Sequence, residues 1–367
     1  MSPVTTDDSL LDDPARLSEA DSDGLLRAAA QAGAQVRSVV EIAAEIGVDR
    51  VLADVRPRAL LIVTGPGLGG ALADLLVALL GPACPVPVVV TDQVPGWVGP
   101  LDVVITHTED PGDRDLAESI GRATRFGATV VVTAPQDGPV AAAGAGRALL
   151  LPPRVPVPPG FAFPRALATA LLSLTTMGLL RTDMDRFADE LDKEAEKGHP
   201  AHESFVNPAK SLALRLSDRV PLLWGLDPAA TAVAAHARHV LAAHAGFVCD
   251  AGSYADAQTR FALHRAAVRS TSGQGIFDDP DDFVGDPTAM LRVQLLAISS
   301  GPVADAARTM AADTLPGADV LVPAEEVGAD EPTRAAVLAL RFELAALYLG
   351  LAAGTIGGSG RYASAGV

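Results

Sequence analysis

Apolar residues change rhythm several times along the chain, and each change predicts an element. Residues 59–64, Ala-Leu-Leu-Ile-Val-Thr, form a continuous apolar run, the pattern of a strand buried on both faces. Upstream, Leu25, Leu26, Val36, Val39, Val40 and Ile42 recur near helical spacing and predict a helix over 24–46. Downstream, a glycine turn leads to a predicted helix at 71–80, strands at 86–91 and 103–106, a helix at 114–126 and a strand at 128–133. Strands alternating with helices argue for an α/β unit with a parallel sheet and crossover helices.

The proline-rich stretch 152–164 cannot belong to a central strand or a helix interior, so it reads as a linker. Helices are predicted at 165–180 and 183–197, and the alternation then resumes. Strands are expected at 220–224, 246–249, 291–299 and 320–323, with helices at 228–244 and 303–312. A closing helix over 331–353 has apolar faces wide enough to be buried against a lobe or a second subunit. The expected organisation is an acidic leader 1–24, a first domain 25–151, the linker 152–164, a second domain 165–354 and a flexible tail 355–367.

With 367 residues, two domains of ordinary size can each bury a core. Hydrophobic residues make up 49% and aromatics 4%, so the cores are filled by Val, Leu and Ala. The net charge of −17 and the presence of three lysines, Lys193, Lys197 and Lys210, argue against a nucleic-acid surface. An anionic ligand would need local help from arginine or backbone N–H groups. Cys84 and Cys249 fit no metal or CxxC spacing and read as buried free thiols in a reducing compartment. The first residues hold Asp7, Asp8, Asp12, Asp13, Asp21 and Asp23 without a basic or apolar segment, and no apolar run suggests a membrane span. A cytoplasmic protein without a membrane partner is expected.

Gly65-x-Gly67-x-x-Gly70 follows a predicted strand and opens a helix. Its backbone N–H groups can therefore meet a phosphate without a Cβ in the way. Asp92 ends the next strand, where a dinucleotide fold places the acid for a ribose hydroxyl, so an NAD-type reading stands beside a sugar phosphate and beside a tight turn made for packing alone. Arg165, at the start of a helix, could clamp a phosphate or form a salt bridge at a hinge. His236, His239 and His244 follow one another on a predicted helix and read as a solvated face. His202 and Glu203, in a loop before Asn207, could carry protons or simply cap structure. No serine sits in a GxSxG elbow, so hydrolase chemistry is not indicated.

The order of elements resembles the bifunctional phosphoglucose/phosphomannose isomerases, which are pairs of SIS (sugar isomerase) domains. The likeness is carried by Gly67-Leu68-Gly69-Gly70, Thr106-His107-Thr108, the Pro164-Arg165 pair, Asn207-Pro208-Ala209-Lys210 and the final helix, and it covers most of the chain. It implies two doubly wound, flavodoxin-like parallel-sheet lobes in tandem, no cofactor, no metal and a homodimer. It also implies a phosphate site at Gly67, Gly69, Gly70, Thr106, Thr108 and Arg165. The loop serine of the family becomes Ala71, and Glu109-Asp110-Pro111 replaces its Gly-Asn-Thr. The family's catalytic glutamate falls on Ala243, its histidine turn falls around 254–260 with His264 nearby, and no lysine follows Lys210. Weak, altered or absent isomerase activity is thus implied. His244, His202 and Glu203 are the candidate substitutes for proton transfer, and a noncatalytic protein-binding subunit is a further alternative.

Overall fold

A computed structural model describes residues 6–272 and 290–357. It divides into two compact units, Gln31–Asp192 and Met1–Ala30 with Lys193–Val367.

In the unit Gln31–Asp192, five strands form one sheet: β1 (Ala59–Val63), β2 (Val88–Thr91), β3 (Asp102–His107), β4 (Thr129–Thr133) and β5 (Leu149–Leu150). Their order is β2-β1-β3-β4-β5 and every pairing is parallel. β1 is buried at every residue, as its unbroken apolar run predicts. Leu61, Val63, Val104, Val130 and Val132 pack on one face against Ile120 and Ala123 of the helix Arg114–Arg125. This is the flavodoxin-like order expected for the first lobe, not the order of dinucleotide folds.

The second unit holds β6 (Val220–Gly225), β7 (Asp250–Ser253), β8 (Leu291–Leu296) and β9 (Asp319–Leu321), again parallel, in the order β7-β6-β8-β9. The same reversal of strand order therefore occurs in both sheets. The strand expected at 246–249 starts later, at Asp250. The helix Pro228–Val240 continues into a π turn, Leu241–Ala245, and Gly246 in the left-handed region ends it, consuming the intervening residues. Where a turn was expected over 254–260, two short helices stand, Tyr254–Thr259 and Phe261–Thr271.

The proline-rich stretch does interrupt regular structure, but it does not end the first unit. Leu151 N–H pairs with Val132 O, Gln35 Nε2 donates to Phe161 O, and the helix Phe163–Thr176 buries most of its length within Gln31–Asp192. Prolines stop a strand or helix, whereas the apolar face of the next helix decides which core it joins. The helix expected over 24–46 is two helices, Leu25–Ala29 and Ala32–Ile46, and the boundary between units falls between them. The acidic leader is built into the second unit. Leu10, Leu11 and Leu17 are buried, and Asp12 accepts hydrogen bonds from the N–H and Oγ of Ser204.

The closing helix Glu331–Ala352 is apolar and long enough, by length and composition, to cross a membrane, yet it is the core helix of its unit and its whole apolar window is buried. It packs on the helices Pro208–Leu216 and Pro228–Val240. Both faces are covered within one unit, so the helix does not carry the argument for a subunit contact. Charges on it are matched internally. Arg341 Nε donates to Glu194 at 2.7 Å and its Nη2 to Glu326 at 2.6 Å. Tyr348 Oη donates to Gly198 O. Cys84 and Cys249 are free but only half-buried, and burial pushes the Cys249 thiol up to about 12.

Candidate functional site

Where strand order reverses, the chains leaving neighbouring strands part in opposite directions and open a crevice beyond the carboxyl ends. In the first sheet this point lies between β1 and β3. The chain leaves Val63 through the glycine turn into the helix Gly69–Leu80. Gly67 has φ +86°, which a side chain would strain, and a Cβ on Gly65, Gly67 or Gly70 would meet no atom within 4 Å. The turn is open rather than packed. A crevice of about 380 Å³ beside it is lined by Thr64, Gly65, Asp92, Gln93, Asp113 and Asp115. An inner cavity of about 20 Å³, room for a water molecule, is lined by Thr64, Gly69, Thr106, His107, Thr133 and Thr169 among others.

The two threonines expected to hold a phosphate are both engaged. Thr106 lies within β3, buried, and donates its hydroxyl to Val63 O at 2.8 Å, bracing β1 against β3. Thr108 accepts from the N–H of Asp110, whose carboxylate accepts from Gly112 N–H at 2.7 Å. Asp113 caps the helix Arg114–Arg125 through Leu116 N–H. These acids are occupied by their own turn. Glu109 is not: its carboxylate accepts from Gly160 N–H at 2.9 Å, 51 residues away in sequence.

Arg165 stands in the first turn of the helix Phe163–Thr176, 7% exposed, and its Nε has no hydrogen-bond partner. Burial lowers its pKa, and the negative charge of Glu109 partly restores it. His107 at the end of β3 is pushed down to about 4, mainly by burial and further by Arg165, so its imidazole is neutral near pH 7. His107 Nδ1 and the hydroxyl of Thr133, its partner in the β3–β4 register, also have no hydrogen-bond partner. Sequence reading passed over His107, Thr133 and the reach of Glu109. The signal for His107 was its place between the two threonines already singled out; nothing local in sequence pairs Thr133 with it.

The candidate proton carriers belong to the other unit. His202 and Glu203 lie in a loop whose carbonyls at Pro200 and His202 accept from the buried Lys210 Nζ, both at 2.7 Å, and whose Asn207 caps the helix Pro208–Leu216. This loop is organised as structure. His244 sits in the π turn, buried, and is pushed down to about 4 by burial with contributions from His239 and His236. The expected solvated histidine face is thus mostly core: His236 is 1% exposed, with Nε2 3.1 Å from Glu343 Oε1 on the closing helix. Alanines around it allow the two helices to approach closely, which encloses the larger side chains between them.

At the reversal in the second sheet, between β6 and β8, the turn is closed. A Cβ on Gly225 would lie 2.3 Å from Thr231 N. Asp227 accepts from Ala230 N–H at 2.8 Å with one oxygen and from Ile298 and Ser299 N–H at 2.7 and 3.0 Å with the other. The chain's own carboxylate thus takes three N–H groups that would otherwise face an anion. Among the described residues, no group of three His, Cys, Asp or Glu is placed to hold a metal ion.

No protein-family model matches the chain, and no curated protein matches it in sequence. Solved structures match over nearly its whole length. A hypothetical protein from Thermus thermophilus superposes with a TM-score of 0.64 at 13% identity, covering 94% of this chain and 89% of its own. The C-terminal domain of glucosamine-fructose-6-phosphate aminotransferase from Francisella tularensis gives 0.56 at 11% identity, over 90% and 94%. Tagatose-6-phosphate ketose/aldose isomerase from Escherichia coli gives 0.54 at 12% identity, over 89% and 91%. Two parallel sheets in succession, matched across both by these proteins, give this chain the SIS fold of the phosphosugar isomerases.

Proposed function

We propose that the chain binds a sugar phosphate, or a closely related sugar anion, at the carboxyl edge of the first sheet, and that aldose–ketose isomerisation there is weak, altered or absent. The observation that carries the reading is Arg165: a guanidinium 7% exposed, with an unpartnered Nε, in the same unit as an open glycine turn. A crevice of about 380 Å³ is of the size that small ligands occupy. His107 and Thr133 leave polar atoms without partners at the inner cavity, which has room for one water-sized group.

Moving a proton between C1 and C2 through an enediol asks for a base poised near neutral pH. His107, at about 4, is too weak a base for that task, and Glu109 is held to Gly160 N–H. The neutral imidazole is suited instead to hydrogen bonding with a sugar oxygen. The protein is read as cytoplasmic, without cofactor, nucleic acid or membrane partner; a homodimer rests on the family resemblance alone, and sedimentation as a monomer at tens of micromolar would remove it.

Thermal shift measures the binding. Fructose 6-phosphate, mannose 6-phosphate or glucose 6-phosphate should raise the melting temperature by mass action, and glucose alone should not. Arg165→Ala should erase the shift. A response to NAD with none to the sugar phosphates would replace this reading with a dinucleotide one. A coupled isomerase assay on any sugar that binds then reads the residual chemistry.

A further inference from the structure

We infer that Glu109 is a resident carboxylate occupying the anion position beside Arg165, and that it must swing out before a ligand anion can enter. This inference rests on the anion site proposed above and adds a specificity-determining residue to it.

The turn after β3 is held by bonds among its own residues: Thr108 with Asp110, Asp110 with Gly112, and Asp113 with Leu116. Glu109 is the acid of that turn whose side chain leaves it. One oxygen accepts from Gly160 N–H at 2.9 Å, so the carboxylate is anchored to the short segment that leads into the helix Phe163–Thr176 and its Arg165, on which its charge acts. A guanidinium that is 7% exposed with an unpartnered nitrogen needs a negative charge near it. The chain supplies that charge from within, so an incoming phosphate finds the place filled by a group of its own sign.

The second sheet shows what a permanent arrangement looks like. Asp227 is short, caps the helix that follows it, and serves three N–H groups from two segments. Glu109 is longer, lies on a half-buried loop, and reaches its N–H partner across 51 residues. Rotation of its side chain vacates the position without unwinding a helix start. A phosphate, with more oxygens and more charge, can then take over Gly160 N–H and Arg165 together. The apparent affinity for an anion is accordingly reduced by the fraction of molecules in which Glu109 has withdrawn.

Dissociation constants for inorganic phosphate and fructose 6-phosphate, measured on the full chain, provide the test. Glu109→Gln should bind both about tenfold more tightly, the scale of one removed like charge at close range. The double variant Glu109→Gln with Arg165→Ala should lose that gain. In the unaltered protein, titration with phosphate should move the amide resonance of Gly160, a readout that does not depend on how the variant folds. If the unaltered protein binds fructose 6-phosphate but Glu109→Gln binds no more tightly, or the Gly160 amide stays in place while phosphate binds, the resident carboxylate is overturned and the binding site stands. If neither protein responds to either anion, the binding site itself is overturned.

Discussion

The two sheets reverse strand order in the same way, yet their reversal points are built for opposite ends. At the first, Gly65, Gly67 and Gly70 face open space, and buried polar atoms on Arg165, His107 and Thr133 have no partners. At the second, Gly225 is packed against Thr231, and Asp227 saturates three N–H groups. Repeated topology thus supplies two equivalent reversal points, and local side chains decide that one is finished as structure while the other keeps unspent hydrogen-bonding capacity.

Acid should test both units together and with the largest effect. His107 in one unit and His244 in the other are neutral when folded, with pKa values of about 4 against 6.5 for the ordinary group. Between those values the unfolded chain holds the protons and the folded chain does not, so stability present above about pH 6.5 is lost as pH falls toward 4. Each histidine contributes up to roughly 3 kcal/mol to that loss. Denaturant melts at pH 7 and pH 5 should show the difference, and His107→Asn should shrink it; a flat profile would mean that neither histidine is held neutral.

Next in size is Asp227→Ala, which leaves three N–H groups unsatisfied, one of them at a helix start, and should cost about 2–3 kcal/mol. Asp113→Ala, an ordinary cap beside the open crevice, should cost about 1 kcal/mol. Equal losses in chemical denaturation would erase the distinction between a closed and an open reversal point. Smaller again is the glycine pair. Gly225→Ala should lose about 2 kcal/mol through overpacking, whereas Gly65→Ala should stay within about 0.5 kcal/mol and instead weaken sugar-phosphate binding. Comparable melting temperatures for the two variants would mean that the first turn is as tightly packed as the second.

Much of this fold is legible in the sequence because its signals are local. The run Ala59–Val63, the glycines after it, and the strand–helix alternation each depend on a few neighbouring residues, and β1 to β4 appear within a residue or two of where the pattern puts them, whereas the two-residue edge strand β5 has no such signal and was not expected. The candidate site is less legible. Gly67, Gly69 and Gly70 stand in the open turn and Arg165 lies in the same unit, but Thr106 is spent on Val63 O and Thr108 on its own turn. His244, His202 and Glu203 read as proton carriers because histidine and glutamate titrate usefully in isolation; the π turn that holds His244 is packed against the closing helix, far along the sequence, whereas His202 is tied by Lys210 within its own loop.

By itself, the sequence determined the α/β class, the parallel alternation of strands and helices, and the place of the glycine turn at the end of β1. Tertiary structure alone decided that the helix after the prolines joins the first unit, that the closing helix is a core and not a contact surface, and that the second reversal point is sealed by Asp227. The reason is physical. Backbone propensity and hydrophobic period act over a few residues, whereas which carboxylate meets which N–H or guanidinium is settled only when segments such as Glu109 and Gly160 are brought together by the packing of the whole unit.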